Sequence, residues 1–271
     1  MAALLHLAAS LGSKLSEAEW KDILVPLKES AASMLPVFSN IIKIMQNVEV
    51  PDRNQPYSDG EQYSDHEFIN DDEEEANMET ASYAIVRMKN HISVQLQIVQ
   101  VVKKLYEVHR KYFSAAHVTI LLEILSSIAS HSSEVSNESS VQLKMQKACS
   151  LLEISDPPIV HFENESYQNL LKFLQTLLTE DEFVSHELRI ESEVVSVCQK
   201  ILQIYLNCAG HELTDQISNT SPALHWILPL GSAKREELAA RASLAVLSLQ
   251  VLSSLERDSF KGTCLAFSVV S

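Results

Sequence analysis

Runs of Leu, Ile and Val recur along this chain at helical spacing, each followed by a polar gap, and they constrain its fold more than any other feature. Residues 163–179 show the design. Tyr167, Leu170, Leu171, Leu174, Leu177 and Leu178 fall at steps of three and four, so they share one face of a 3.6-residue helix. Such a helix buries its apolar stripe only against a neighbouring element. No stretch of four to eight residues alternates convincingly with the period of a strand. The expectation is an all-α chain: a divergent HEAT/armadillo-like α-solenoid of paired antiparallel helices, with a compact helical bundle as the alternative architecture.

Five glycines in 271 residues leave little room for phosphate-cradling glycine loops or tight hairpins. The formal charge of −15 is concentrated in the acidic segment that includes the run Asp71–Glu75. Nucleic-acid backbones and anionic lipid both call for a basic field, so neither is expected as a direct partner. Cys149, Cys198, Cys208 and Cys264 form no CxxC pair, which suits reduced, mostly buried thiols in a cytoplasmic setting.

Four regions follow from the pattern. Residues 1–48 read as N-terminal helices. Ser16 and Glu19 stand as a capping box, a kink is expected near Pro26, and a break or kink at Pro36. Residues 49–81 read as an acidic disordered linker, whose aromatic residues include Tyr57 and Tyr63. Residues 82–260 read as the helical-repeat region. Within it, 131–140 is taken as a Ser-rich loop, Asp156-Pro157-Pro158 as a stop, and Gly210 as the C-cap of a helix over 186–209. A short apolar turn spans 224–230. Ser232 is expected to cap a last helix that buries Leu238, Ala242, Ala245, Leu249, Leu252 and Leu255. Residues 261–271 read as an irregular tail, and no run reaches the length of a membrane span.

Catalytic signatures are absent from the sequence. His186-Glu187 and His211-Glu212 begin like a zinc-protease motif, but neither has a histidine at the required position four residues on. No GxSxG, GxxxxGK[ST] or GxGxxG pattern occurs. No catalytic residue, metal ligand or cofactor is assigned. A hydrolase built from scattered residues is the enzymatic alternative, and lack of motif weighs against it.

Two blocks carry a family resemblance. One is LPLGSAKREELAAR at 228–241 with LERDSF at 255–260. The other is YQNLLKFLQTLL at 167–178 followed by VSVCQKILQIYL at 195–206. With Glu19-Trp20-Lys21, these resemble the C-terminal region of the plant brefeldin A-inhibited guanine nucleotide-exchange factors, large exchange factors for ARF GTPases. The resemblance implies a non-catalytic helical regulatory or interaction region of an exchange factor acting in Golgi and endosomal vesicle trafficking. It implies a cytoplasmic protein, peripheral at trans-Golgi network and endosome membranes. It also implies protein partners: ARF-type GTPase machinery or other regions of the exchange factor, with membrane association indirect and dimerisation open. The chain reads as a fragment, because nothing like the catalytic exchange domain is seen. A general helical-repeat adaptor or scaffold unrelated to ARF exchange is the competing reading. The candidate interaction surface is Lys234, Arg235 and Arg241, a mixed-charge start to the last helix.

Overall fold

Helix α1 (Ala2–Leu11) gives way at Gly12 to a short 3₁₀ turn, and α2 (Glu17–Ser33) begins at the expected capping box. The Ser16 backbone N–H donates to Glu19 Oε2 at 2.8 Å, and the Glu19 N–H donates to Ser16 Oγ at 3.4 Å. The Ser16 hydroxyl, which donates to Glu19 Oε2 at 2.6 Å, and the Ser16 N–H favour the ionised form and hold the Glu19 carboxyl below the usual carboxylate range. The helix runs through Pro26 and ends at Ser33. Pro36 then sits in the first turn of α3 (Leu35–Asn47), where its missing N–H leaves no bond unmade. The chain continues with α4 (Glu67–His109), α5 (Ala115–Asn137), α6 (Ser139–Leu152), α7 (Ile159–Glu180), α8 (Glu182–Glu187), α9 (Ile190–Ser218) and α10 (Ser232–Ser259). This computed structural model describes residues 2–51, 67–180, 182–218 and 232–259, and no strand occurs among them.

The long α4 is the spine. At 1.5 Å per residue its 43 residues extend about 65 Å. Ala81, Ile85, Met88, Ile92, Val99 and Val102 are buried along it at three-, four- and seven-residue spacings. Packing recurs at every third helix: α1 lies on α4, α2 on α5, α3 on α6, α4 on α7 and α7 on α10. The most extensive packing lies between α9 and α10 and between α5 and α7, so sequence neighbours and more distant helices both contribute. The longer helices share their apolar stripes among several neighbours, α4 and α7 most of all.

Aromatic rings mark the deepest points. Phe38 stacks on Phe162 across 6.0 Å and meets the rings of His131 at 4.6 Å and His91 at 5.4 Å. Trp20 packs edge-on against Phe113 at 4.9 Å and beside His109 at 5.1 Å. Polar ties reinforce these contacts. Lys144 Nζ donates to the Gln46 and Val48 carbonyls at 2.6 and 2.9 Å, placing a cation at the C-terminus of α3 where the helix dipole favours it.

The structure corrects several expectations. The linker was drawn over 49–81, but α4 begins at Glu67. Glu and Ala propagate helix well, the acidic residues crowd its N-terminal end where negative charge is favoured, and Ala81 anchors the segment in the core. Tyr57 and Tyr63 lie outside the described residues. The loop expected at 131–140 is largely helix, since α5 runs to Asn137. His131, Ser132 and Val135 are buried there, so the serines mark a covered face rather than a turn. Helix α9 passes through Gly210 to Ser218, since an interior glycine costs a helix only about 1 kcal/mol relative to alanine and does not by itself end it.

Between α8 and α9, Arg189 adopts a left-handed conformation, φ 52°, splitting the single helix expected over 186–209. The turn over 224–230 and the tail over 261–271 lie outside the described residues. In α10 the buried positions are Leu244, Ala245, Ser248 and Val251, whereas Leu249 is 53% exposed, as is Val246. The segment Glu237–Leu255 is long and apolar enough to cross a bilayer by length and composition, a property the sequence reading had not assigned to any run. Here it packs on α7 and α9 and carries the buried Arg241 into an ion pair.

Candidate functional site: a groove where α6, α7 and α10 meet

Helix α6 ends where Glu153 takes a left-handed conformation, φ 54°, and its Pro-rich exit turns the chain into α7. Helices α6 and α7 make few contacts with one another. Residues 237–244 of α10 lie against this junction. The result is a groove of about 510 Å³, within the range of ligand-binding clefts. Its apolar lining includes Met145, Pro157, Ile159, Val160 and Leu244, and its amides are Gln142, Gln146, Asn164 and Gln168. Asp156, Glu165 and Glu237 line it too, and no Lys or Arg does among the described residues. Asn164 Oδ1 is buried without a hydrogen-bond partner.

Arg241 fixes α10 beside this groove. Its Nη2 lies 3.1 Å from Glu163 Oε2 and donates to Ser136 Oγ at 2.8 Å, while its Nη1 lies 3.3 Å from Glu237. Ser136 in turn donates to Glu163 Oε2 at 3.0 Å. One guanidinium thus joins α10 to α7 and α5. Glu163 is only 1% exposed. Burial pushes its carboxyl above the ordinary carboxylate range, an effect opposed by Arg241 and by hydroxyl donors from Ser136 and Ser133. Beside it, burial raises the Tyr167 hydroxyl to about 12.

These contacts revise the expected interaction surface. Arg241 is turned inward and committed to Glu163, so it does not form an exposed mixed-charge face. The side chains of Lys234 and Arg235 lie outside the described residues. The groove itself was not assigned from the sequence. Its residues come from three helices and a connecting segment, and only the Pro157-Pro158 stop gave a local signal that the helices part there. Among the described residues no cluster of three or more His, Cys, Asp or Glu is arranged to hold a metal ion. Cys149 and Cys198 are buried free thiols, each raised to about 11 chiefly by burial, which keeps them protonated and poorly nucleophilic.

The BIG2 C-terminal domain family matches residues 93–268. Brefeldin A-inhibited guanine nucleotide-exchange protein 1 of Arabidopsis thaliana is 44% identical over 96% of this chain and 15% of its own length. Protein 4 of the same name and plant is 38% identical over 95% of the chain and 14% of its own length, and protein 2 is 32% identical over 96% and 15%. The chain therefore spans about 15% of the length of these relatives. No solved structure matches it.

Proposed function

This chain belongs to the family of brefeldin A-inhibited guanine nucleotide-exchange proteins, within their C-terminal domain, and from that premise we propose that it is a non-catalytic regulatory and interaction region of an ARF guanine nucleotide-exchange factor. The single observation that carries this reading is the 44% identity to the Arabidopsis protein across 96% of the chain. The helical scaffold suits the role, because stacked helices present surfaces whose shape depends on rigid packing rather than on loops. Its acidic balance disfavours direct docking on anionic lipid, so recruitment to Golgi or endosomal membranes falls to a protein partner.

The test is a chimaera. The matching C-terminal segment of Arabidopsis protein 1 is deleted, and separately replaced by this chain. Membrane recruitment and nucleotide exchange on an ARF GTPase are then measured. Loss of either on deletion, restored by the replacement, supports the proposal. A deletion that leaves both unchanged removes it, as does a replacement that fails to restore what the deletion cost.

A further inference from the structure

We propose that the groove between α6, α7 and α10 binds an extended peptide of a partner protein that alternates basic and apolar side chains. The inference rests on the reading of this region as an interaction module and names the chemistry of one partner.

Three features of the groove converge on that ligand. Its charge is predominantly acidic: Asp156, Glu165 and Glu237 line it together with His161, without a lining Lys or Arg among the described residues. Glu237 is partly engaged by Arg241 at 3.3 Å, and Asp156 pairs with the Cys149 thiol near Lys89. Glu165 therefore carries the largest share of the attraction for a cation, and Asp156 adds to it. Glu165 accepts one hydrogen bond from Asn169, at 3.2 Å, and a carboxylate retains room for more.

The amides supply the second feature. Gln168 presents both a donor and an acceptor, the pairing that the backbone of an extended chain offers along its length. Gln142, whose amide nitrogen donates to the Ser136 and Val135 carbonyls at 2.7 and 3.4 Å, adds its acceptor. Asn164 adds an acceptor, Oδ1, that no protein donor meets. An N–H group is what it lacks. The third feature is the apolar floor, which takes every second side chain of a strand while the alternate ones face the carboxylates.

The test uses the whole chain and a fluorescein-labelled twelve-residue peptide alternating Lys and Leu, read by anisotropy, with Glu/Leu and Lys/Ser peptides beside it. Saturable binding of the Lys/Leu peptide is expected, with both controls at least tenfold weaker. Ala240→Trp fills the groove from an exposed position of α10 without changing charge, and should weaken binding at least tenfold. The pair Asp156→Lys and Glu165→Lys should do the same. Circular dichroism confirms that each variant is folded, and Ser243→Trp, nearly one turn further along, replaces Ala240→Trp if that helix is disturbed. Undiminished affinity in the folded Trp variant overturns the proposal, because the peptide then binds elsewhere on an acidic chain. So does the absence of saturable binding to the unaltered chain. Neither outcome bears on the chimaera, whose failure would remove the exchange-factor role and leave peptide binding standing.

Discussion

Arg241 of α10 meets Glu163 of α7 at 3.1 Å, with both side chains nearly withdrawn from solvent. The pair lies beside the groove and holds the last helix to the body of the fold. Removing one partner of such a pair leaves a charge buried without compensation. Arg241→Ala should therefore destabilise the chain by about 3–5 kcal/mol, read as a lower midpoint in urea unfolding. Replacing both partners with apolar residues of similar volume, Arg241→Met with Glu163→Leu, should recover most of that loss. An unchanged midpoint in Arg241→Ala would show that α10 is not anchored here.

Acid should weaken the fold through its histidines. His91, His109 and His131 all lie below their ordinary value because burial disfavours the charged ring; Arg87 adds to the effect at His91, and Glu134 opposes it at His131. The unfolded chain binds these protons more readily than the folded one, so stability is lost as pH falls. The contribution is fully present above about pH 6.5 and declines below it until the folded-state values are passed. Glu163 acts with opposite sign: burial raises its carboxyl despite the Arg241 pair, so its proton-linked contribution is present below the carboxylate range and declines as pH rises. Urea midpoints should therefore drop between pH 8 and pH 5, and His131→Asn should flatten part of that slope.

Gly12 is required by a ring rather than by its own backbone angles. A Cβ at this position would collide with the imidazole of His109, which Trp20 holds from another side. Gly12→Ala should cost about 1–3 kcal/mol as an overpacked contact. The further change His109→Ala should make the Gly12→Ala step nearly neutral. A calorimetric double-mutant comparison checks this, and an unperturbed single variant would contradict it.

Glu153 ends α6 with φ 54°, a conformation that costs an L-residue about 1–2 kcal/mol and a glycine nothing. Glycine also loses more freedom on folding, by about 0.4–1 kcal/mol. Glu153→Gly should stabilise the chain by up to about 1 kcal/mol in urea unfolding. A clear loss of stability would mean that the Glu153 side chain makes a contact worth more than the strain.

Trp20 and Phe38 are 0% exposed, and each bridges helices distant in sequence. Truncating either to Ala should cost about 3–5 kcal/mol, read as a lowered thermal midpoint. The smaller loss expected at exposed Leu143, 56% accessible on α6, provides the internal comparison.

Much of the helical content was legible in the residue pattern, because period and capping are local properties. Tyr167, Leu170, Leu171, Leu174 and Leu177 are all buried on α7, as their spacing implies, and Ser16 with Glu19 caps α2 through bonds spanning three residues. Misread segments were those whose role depends on a distant partner. Ser133 and Ser136 resemble loop residues until Glu163, about thirty positions later in the chain, is seen to need their hydroxyls.

Arg241 resembles a solvated cation until the same carboxylate is placed opposite it. Leu249 fits the apolar stripe of α10 by spacing, yet it faces outward because only α7 and α9 cover that helix among its principal contacts. The sequence by itself determined that the chain is helical and where most helices start, since hydrogen bonds four residues apart and the 3.6-residue turn are decided nearby. Tertiary structure alone decided which polar groups are buried and where the helices part to leave a groove. Those outcomes depend on desolvation and packing between residues that the chain brings together only when it folds.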